Sequence, residues 1–128
     1  MFHIFASQEE RRAYGGSAFV EIQFCRLPHG TSVQELVAVD SIRNWQNDSL
    51  YTDDENRFYE EYHELLDFGI YNNMKRGTVD IYGINYYPPS AIDTVINRLI
   101  EHKPAGHAVF IDWLNKAKPY NGFYILGL

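Results

Sequence analysis

Four segments of the chain carry the apolar patterns of β-strands. Residues 18–27 and residues 78–87 alternate between apolar and polar side chains, which is the pattern of a half-buried strand. Residues 123–128 form a short apolar run typical of a strand inside a sheet, and residues 2–5 predict a further short strand. Breaks are predicted at three turn signals, which are Gly15-Gly16, Pro28-His29-Gly30 and Pro88-Pro89.

Two segments in the last third of the chain carry helix patterns. Ser90 is placed as an N-cap, and the helix after it is predicted to end near Lys103. The apolar residues between them recur with the spacing of a helix that faces a core; they are Ile92, Val95, Ile96, Leu99 and Ile100. A second helix is predicted from about Gly106 to Ala117. Its apolar face would contain Phe110, Trp113, Leu114 and Ala117.

The middle of the chain predicts an amphipathic helix with one acidic face. Thr52 and Glu55 have the spacing of a capping box, and Gly69 is placed to end the helix. At about 100° per residue, carboxylates gather along one face and the apolar and aromatic side chains occupy the opposite one. The carboxylates on or beside this line are Asp53, Asp54, Glu60, Glu61, Glu64 and Asp67.

Residues 32–47 allow two interpretations. Ser32 and Glu35 have capping-box spacing, which favours a helix through about Asn47. The apolar residues after Val37 do not stay on one face, so a strand over residues 36–42 remains open. Residues 71–77 are polar and predict a turn.

Together these elements predict a single α+β domain over residues 1–128. The expected architecture is a small mixed or antiparallel sheet of about four strands packed with about four helices. Strands and helices do not alternate singly, so a doubly wound parallel sheet is not expected. A chain of 128 residues leaves room for one domain only.

Charge and composition narrow the classes of function. The chain has 11 Lys and Arg against 17 Asp and Glu, a net charge of −6, which argues against a nucleic-acid partner. No apolar run approaches the length of a membrane span, and the first residues lack the pattern of a secretory signal. The lone Cys25 fits a reducing compartment. These features predict a cytoplasmic protein that does not bind a membrane.

Two groups of side chains are weak candidates for catalysis. Glu60, His63 and Glu64 have a helical spacing that can hold a metal, but the sequence contains no second copy of the pair. Cys25 and His29 would act as nucleophile and base only if the fold brings them together. A solvated helix face and a small buried thiol are the simpler interpretations. We therefore expect no catalytic residue, no metal and no cofactor, and we interpret the protein as a non-enzyme.

The acidic helix is the strongest candidate for a functional surface. Residues 53–67 contain seven acidic residues and one basic residue, so this segment accounts for the whole net charge. Charge concentrated on one face steers an oppositely charged partner, and a few aromatic anchors usually carry most of the binding energy. The predicted partner-binding residues are Asp53, Glu60, Glu61, Glu64, Asp67, Tyr59 and Tyr62.

In size, acidity, tyrosine content and lack of catalytic residues, the chain is similar to small inhibitor proteins. The predicted function is an acidic binding protein, specifically a bacterial immunity protein that neutralises a basic toxin or nuclease by covering its basic surface. The alternatives are a small metal-dependent or hydrolytic enzyme and a homo-oligomeric structural subunit. The oligomeric state stays open.

Overall fold

The structure, a computed structural model, describes residues 1–15 and 19–127. Within these residues the chain forms an α+β fold around an open antiparallel sheet with the strand order β2-β1-β6-β5-β3-β4. The strands are β1 (Val20–Phe24), β2 (Leu50–Thr52), β3 (Gly69–Tyr71), β4 (Arg76–Gly77), β5 (Ile84–Tyr87) and β6 (Phe123–Leu126). The helices are α1 (Gln8–Tyr14), α2 (Val33–Leu36), α3 (Glu55–Tyr62), α4 (Ala91–His102) and α5 (His107–Ala117). The expected class is therefore confirmed, with six strands where about four were predicted.

The middle of the sheet is buried on both faces. β1 lies between β2 and β6, and Ile22 pairs with Leu50 on one side and with Ile125 on the other. All five residues of β1 are buried, so the alternating segment is not the half-buried strand that its pattern predicts. A strand between two layers needs partners for its polar side chains as well as its apolar ones.

One face of the sheet carries the main core, to which α3, α4 and α5 contribute their apolar side chains. Stacked aromatic rings fill much of it. Phe24 stacks on Trp113 with ring centroids 4.3 Å apart, and Tyr87 stacks on Phe123 at 4.9 Å. Large rings bury much apolar area and gain further stability from such pairing. The two helices predicted after residue 90 are confirmed, although the Ser90 side chain makes no capping hydrogen bond.

The opposite face is covered by α1, α2 and the loop that follows α2. Two small clusters lie under them. One contains Cys25, Leu36, Val37, Ile70, Tyr86, Tyr124 and Leu126, and the other contains Phe5, Phe19 and Tyr51. The guanidinium of Arg11 in α1 lies over the ring of Trp45, 3.8 Å from its centroid, which ties the helix to the loop.

Glu21 of β1 holds this loop in place. Its side chain is fully buried, and its carboxylate accepts hydrogen bonds from the backbone N–H groups of Trp45 at 2.7 Å and Gln46 at 3.0 Å. These N–H groups bond to a side chain instead of to a helix carbonyl. The helix predicted through Asn47 is accordingly wrong: α2 ends at Leu36 and a 3-10 turn follows at Val39–Ser41. Residues 36–42 do not form the alternative strand either.

The predicted strand over residues 78–87 is too long. Only Ile84–Tyr87 pairs in the sheet, because Asp80 closes a turn in which its carboxylate accepts the N–H of Tyr82 at 2.9 Å. Residues 71–77 were predicted as a turn, and they contain the connection of the short β3–β4 hairpin.

The start of the chain also differs from the prediction. Residues 2–5 contribute a single bridge between His3 and Tyr51 instead of a strand. The pattern did not indicate α1, whose N-cap Ser7 accepts the N–H of Glu10, and it did not indicate β2. Three residues of the predicted elements, Gly16, Ala18 and Leu128, lie outside the described residues. None of the described helices is long and apolar enough to cross a bilayer.

Candidate protein-docking surface

The acidic helix is present but shorter than its sequence predicts. α3 runs over Glu55–Tyr62, and its N-cap is Asp54, whose carboxylate accepts the N–H of Arg57 at 3.0 Å. After Tyr62 the chain tightens into turns, in which the N–H groups of Leu65 and Leu66 both bond to the carbonyl of Tyr62. These turns bury both leucines in the main core. Glu64 and Asp67 therefore lie in turns beyond the helix, contrary to the prediction.

Several exposed carboxylates lie on and beside α3, and three of them form a group in its last turn and just after it. Glu60, Glu61 and Glu64, which we call the α3 acidic surface, form no ion pair with any lysine or arginine in the ranges that the structure describes. The imidazole of His63 lies 3.9 Å from the Glu64 carboxylate. Arg57 lies on the same helix and is exposed. The α3 acidic surface therefore keeps its negative charge available to a partner.

Two of the predicted carboxylates already have partners within the molecule. Asp67 accepts a hydrogen bond from the guanidinium of Arg98 at 2.9 Å. Asp53 accepts a weaker one from the Tyr14 hydroxyl at 3.3 Å and lies 3.9 Å from the imidazole of His3. The predicted set of partner-binding carboxylates is thus smaller than expected, because side chains of the protein itself already contact Asp53 and Asp67.

The two tyrosines predicted as anchors have different environments. Tyr62 is completely buried, and its hydroxyl donates to the carbonyl of Ala105 at 2.5 Å. This burial raises the pKa of Tyr62, with a smaller contribution from the charge of Glu61. Tyr62 therefore belongs to the core and not to the rim where it was expected. Tyr59 is 38% exposed and stacks on the ring of His63 at 4.8 Å, so it remains available as a contact.

An open groove of about 800 Å³ lies directly beside α3. Asn56, Tyr59 and Glu60 form the wall on the helix side, because they are three and four positions apart and share one helix face. The rest of the lining comes from Tyr71 and from residues 78–82. We call this feature the tyrosine groove, since Tyr59, Tyr71 and Tyr82 all line it.

The loop of residues 78–82 is held by a buried amide. The Asn85 side chain is fully buried; it accepts the N–H of Asp80 at 2.8 Å and donates to the Asp80 carbonyl at 2.8 Å and to the Ile125 carbonyl at 2.9 Å. The N–H of Val79 also bonds to the Leu66 carbonyl, at 3.0 Å. These bonds fix the loop against β6 and the turns after α3. This wall of the groove is therefore preorganised.

Tyr71 and Tyr82 play different parts in this groove. The Tyr71 hydroxyl donates to the carbonyl of Thr78. Tyr71 therefore contributes its ring to the groove, because its hydroxyl donor is already used. Burial and the negative charge of Asp80 raise the pKa of Tyr71. Tyr82, in contrast, is 66% exposed. The sequence shows a cluster of tyrosines in this region, but it does not indicate that the chain turns at Asp80 and brings Tyr82 towards α3.

The candidate catalytic groups do not assemble into a site. Among residues 1–15 and 19–127 there is no group of three His, Cys, Asp or Glu side chains placed to hold a metal, so Glu60, His63 and Glu64 do not form one. Cys25 is fully buried, and its thiol donates to the Tyr124 hydroxyl at 3.6 Å, whereas His29 is exposed. Burial raises the pKa of the Cys25 thiol, which disfavours a reactive thiolate.

Comparison with known proteins gives no relative: no family model matches the chain, and no curated protein or solved structure is significantly similar to it. The functional interpretation therefore depends on the surface itself. Its two parts are the α3 acidic surface and the adjoining tyrosine groove, and they share Glu60.

Proposed function

We propose that this protein is a small acidic inhibitor that binds a basic protein and covers its basic surface, as an immunity protein does with a bacterial toxin or nuclease. The observation that carries the proposal is the α3 acidic surface, on which Glu60, Glu61 and Glu64 are exposed without a lysine or arginine partner from the described chain. Desolvating a charge that has no internal partner is costly, so such charges favour a partner that supplies the opposite sign.

The remaining predicted residues contribute to different extents. Tyr59 supplies an aromatic contact at the edge of the acidic surface, in keeping with the enrichment of aromatic residues at interfaces. Asp53 and Asp67 contribute less, because a partner would compete with Tyr14 and Arg98 for their oxygens. The proposal places the protein in the bacterial cytoplasm, where its free thiol stays reduced and where a toxin or nuclease would act.

The test is a comparison of charge-reversed variants. The protein and a Glu60→Lys/Glu64→Lys variant are used to recover partners from the native cell, and the recovered protein is then purified and its binding kinetics and activity are measured. We expect a basic partner whose activity the wild-type chain inhibits and whose association rate falls about tenfold with the variant and with added salt.

A matched control reverses the same number of charges elsewhere. Glu9 and Glu35 are exposed on α1 and α2, which cover the face of the sheet opposite to α3, so Glu9→Lys/Glu35→Lys should leave the association rate within about twofold of the wild type. Equal association rates and equal inhibition for the wild type and the Glu60→Lys/Glu64→Lys variant would contradict the proposed surface.

A further inference from the structure

The proposed function assigns the exposed carboxylates of α3 but gives no occupant to the tyrosine groove beside them. We infer that the groove binds a short segment of the basic partner, with an arginine or lysine side chain lying against the tyrosine rings and paired with Glu60 and Asp80. The inference rests on the proposed function, because the occupant is a segment of that same partner.

The charge of the groove selects a cationic occupant. Glu60 and Asp80 both line it and both are exposed, while no lysine or arginine is among its lining residues. One oxygen of Asp80, Oδ1, accepts the N–H of Tyr82, which orients the carboxylate. Its other oxygen, Oδ2, has no hydrogen-bond partner within the described ranges. A guanidinium or ammonium group would supply the missing donor.

The aromatic lining favours the same occupant. Tyr59 and Tyr82 are 38% and 66% exposed, and Tyr71 presents its ring because its hydroxyl is already bonded to Thr78. A cation is attracted to the face of an aromatic ring when it lies within about 6 Å of the centroid. Arginine fits best, since its planar group stacks on a ring and still donates, in the plane of the guanidinium, to a carboxylate beside the ring.

The size and rigidity of the groove indicate a segment and not a single side chain. Its volume of about 800 Å³ is at the upper end of the range of ~300–1,000 Å³ for ligand sites, so it has room for several residues. Val79 and Ile81, which are buried in the main core, also belong to its lining. Because the bonds of Asn85 fix the loop beforehand, binding does not have to order this wall.

The test is a nuclear magnetic resonance titration of the intact protein with a defined probe, the peptide acetyl-Arg-Leu-Arg-amide. A second peptide carries citrulline in place of both arginines, which removes the charge and keeps the shape. We expect saturable shifts of the ring signals of Tyr59, Tyr71 and Tyr82 with the arginine peptide. The citrulline peptide should bind at least about tenfold more weakly.

Two pairs of variants locate the binding within the groove. Tyr82→Ala and Glu60→Gln should each weaken the arginine peptide about fivefold, whereas their matched controls Ile100→Ala and Glu35→Gln should change it less than twofold. Ile100 is 54% exposed on α4, and Glu35 is exposed on α2, which covers the opposite face of the sheet. Amide spectra check that each variant keeps the fold.

Several outcomes would overturn the inference. Equal binding of the citrulline peptide would mean that the groove takes a neutral segment. Tyrosine shifts that grow with protein concentration in the absence of peptide would mean that a second copy of the chain is the occupant. Peptide shifts confined to Glu61 and Glu64 would refute the groove while leaving the proposed acidic docking intact. Conversely, saturable binding of the arginine peptide in the groove together with normal partner association of a Glu61→Lys/Glu64→Lys variant, in which both changes lie outside the groove lining, would refute docking through the α3 acidic surface while leaving the cationic preference of the groove intact.

Discussion

Replacing the buried carboxylate of Glu21 tests how the fold tolerates a charge between two layers. The substitution Glu21→Gln keeps the shape of the side chain and changes one oxygen into a donor. Four groups donate hydrogen bonds of 3.0 Å or less to the carboxylate. These donors are Gln23 Nε2, Trp45 N, Gln46 N and Ser49 Oγ. Oε1 accepts only from Trp45, and Oε2 accepts from the other three.

The magnitude follows from this distribution. The glutamine variant does best by keeping its oxygen at the Oε2 position, so its NH₂ group faces the N–H of Trp45. One buried donor without an acceptor costs about 1–3 kcal/mol, and the three remaining bonds lose their charge assistance. Removing the cost of burying a charge offsets part of this loss. We therefore expect the free energy of unfolding to fall by about 2 kcal/mol, against about 4 kcal/mol for Glu21→Ala, which leaves all the donors unpaired.

Urea unfolding measures this change. With a slope of about 1.5 kcal/mol per molar urea, a loss of 2 kcal/mol lowers the midpoint by about 1.3 M. Amide hydrogen exchange at Trp45 and Gln46 should also become faster, because these N–H groups are bonded to the carboxylate. The surface variant Glu101→Gln is the control. Stability of Glu21→Gln within about 0.5 kcal/mol of wild type, with unchanged exchange, would refute the reasoning.

Three further predictions concern stability and reactivity. Gly122→Ala should cost more than about 3 kcal/mol in chemical unfolding, because Gly122 has φ +82° and a Cβ there would lie 2.1 Å from the Tyr87 carbonyl oxygen; a cost below about 1 kcal/mol would contradict this. The free energy of unfolding should fall as the pH rises above about 10. Burial raises the pKa of four tyrosines, so these groups ionise in the unfolded chain before they ionise in the folded one; they are Tyr62, Tyr86, Tyr87 and Tyr124. Unfolding experiments and tyrosinate absorbance across alkaline pH measure this loss of stability, and a flat profile would exclude it. Cys25 should react with a thiol reagent only at the rate of unfolding, since it is fully buried and its pKa is raised, and fast labelling of the native protein would show that the thiol is accessible.

Local patterns were sufficient where a segment faces one core. α4 and α5 were predicted because their apolar residues repeat with the helical period and their opposite faces meet solvent. The short run Phe123–Leu126 is predicted as a strand for a different reason, because it is apolar throughout, and all four of its residues are buried.

The failures arise where a polar side chain binds the backbone outside a regular element. The carboxylate of Glu21 takes two N–H groups that lie 24 and 25 residues further along the chain, and no local pattern reveals such bonds. The break at Asp80 comes from nearer partners, since the Asp80 carboxylate accepts the N–H of Tyr82 and the Asn85 amide bonds to the backbone of Asp80. β2, β3 and β4 are not predicted because strands of two or three residues carry too little pattern to detect.

The candidate surface was predictable only in part. The acidic character of α3 follows from its spacing, and Glu60, Glu61 and Glu64 are exposed as expected. The pairing of Asp67 with Arg98 and the burial of Tyr62 depend on how the turns after α3 pack, which the sequence does not specify. The tyrosine groove depends on the meeting of α3 with residues 78–82, which is a property of the tertiary fold.

The position of β6 has a consequence for the newly synthesised chain. β6 follows the other five described strands along the chain, yet it lies between β1 and β5 and joins the two halves of the sheet. Until β6 has emerged from the ribosome, β1 and β5 each present a bare hydrogen-bonding edge, and such edges recruit other chains. Its contacts with β1 also span most of the sequence, which slows folding. Nascent protein therefore passes through a vulnerable interval in which a chaperone would protect it from self-association.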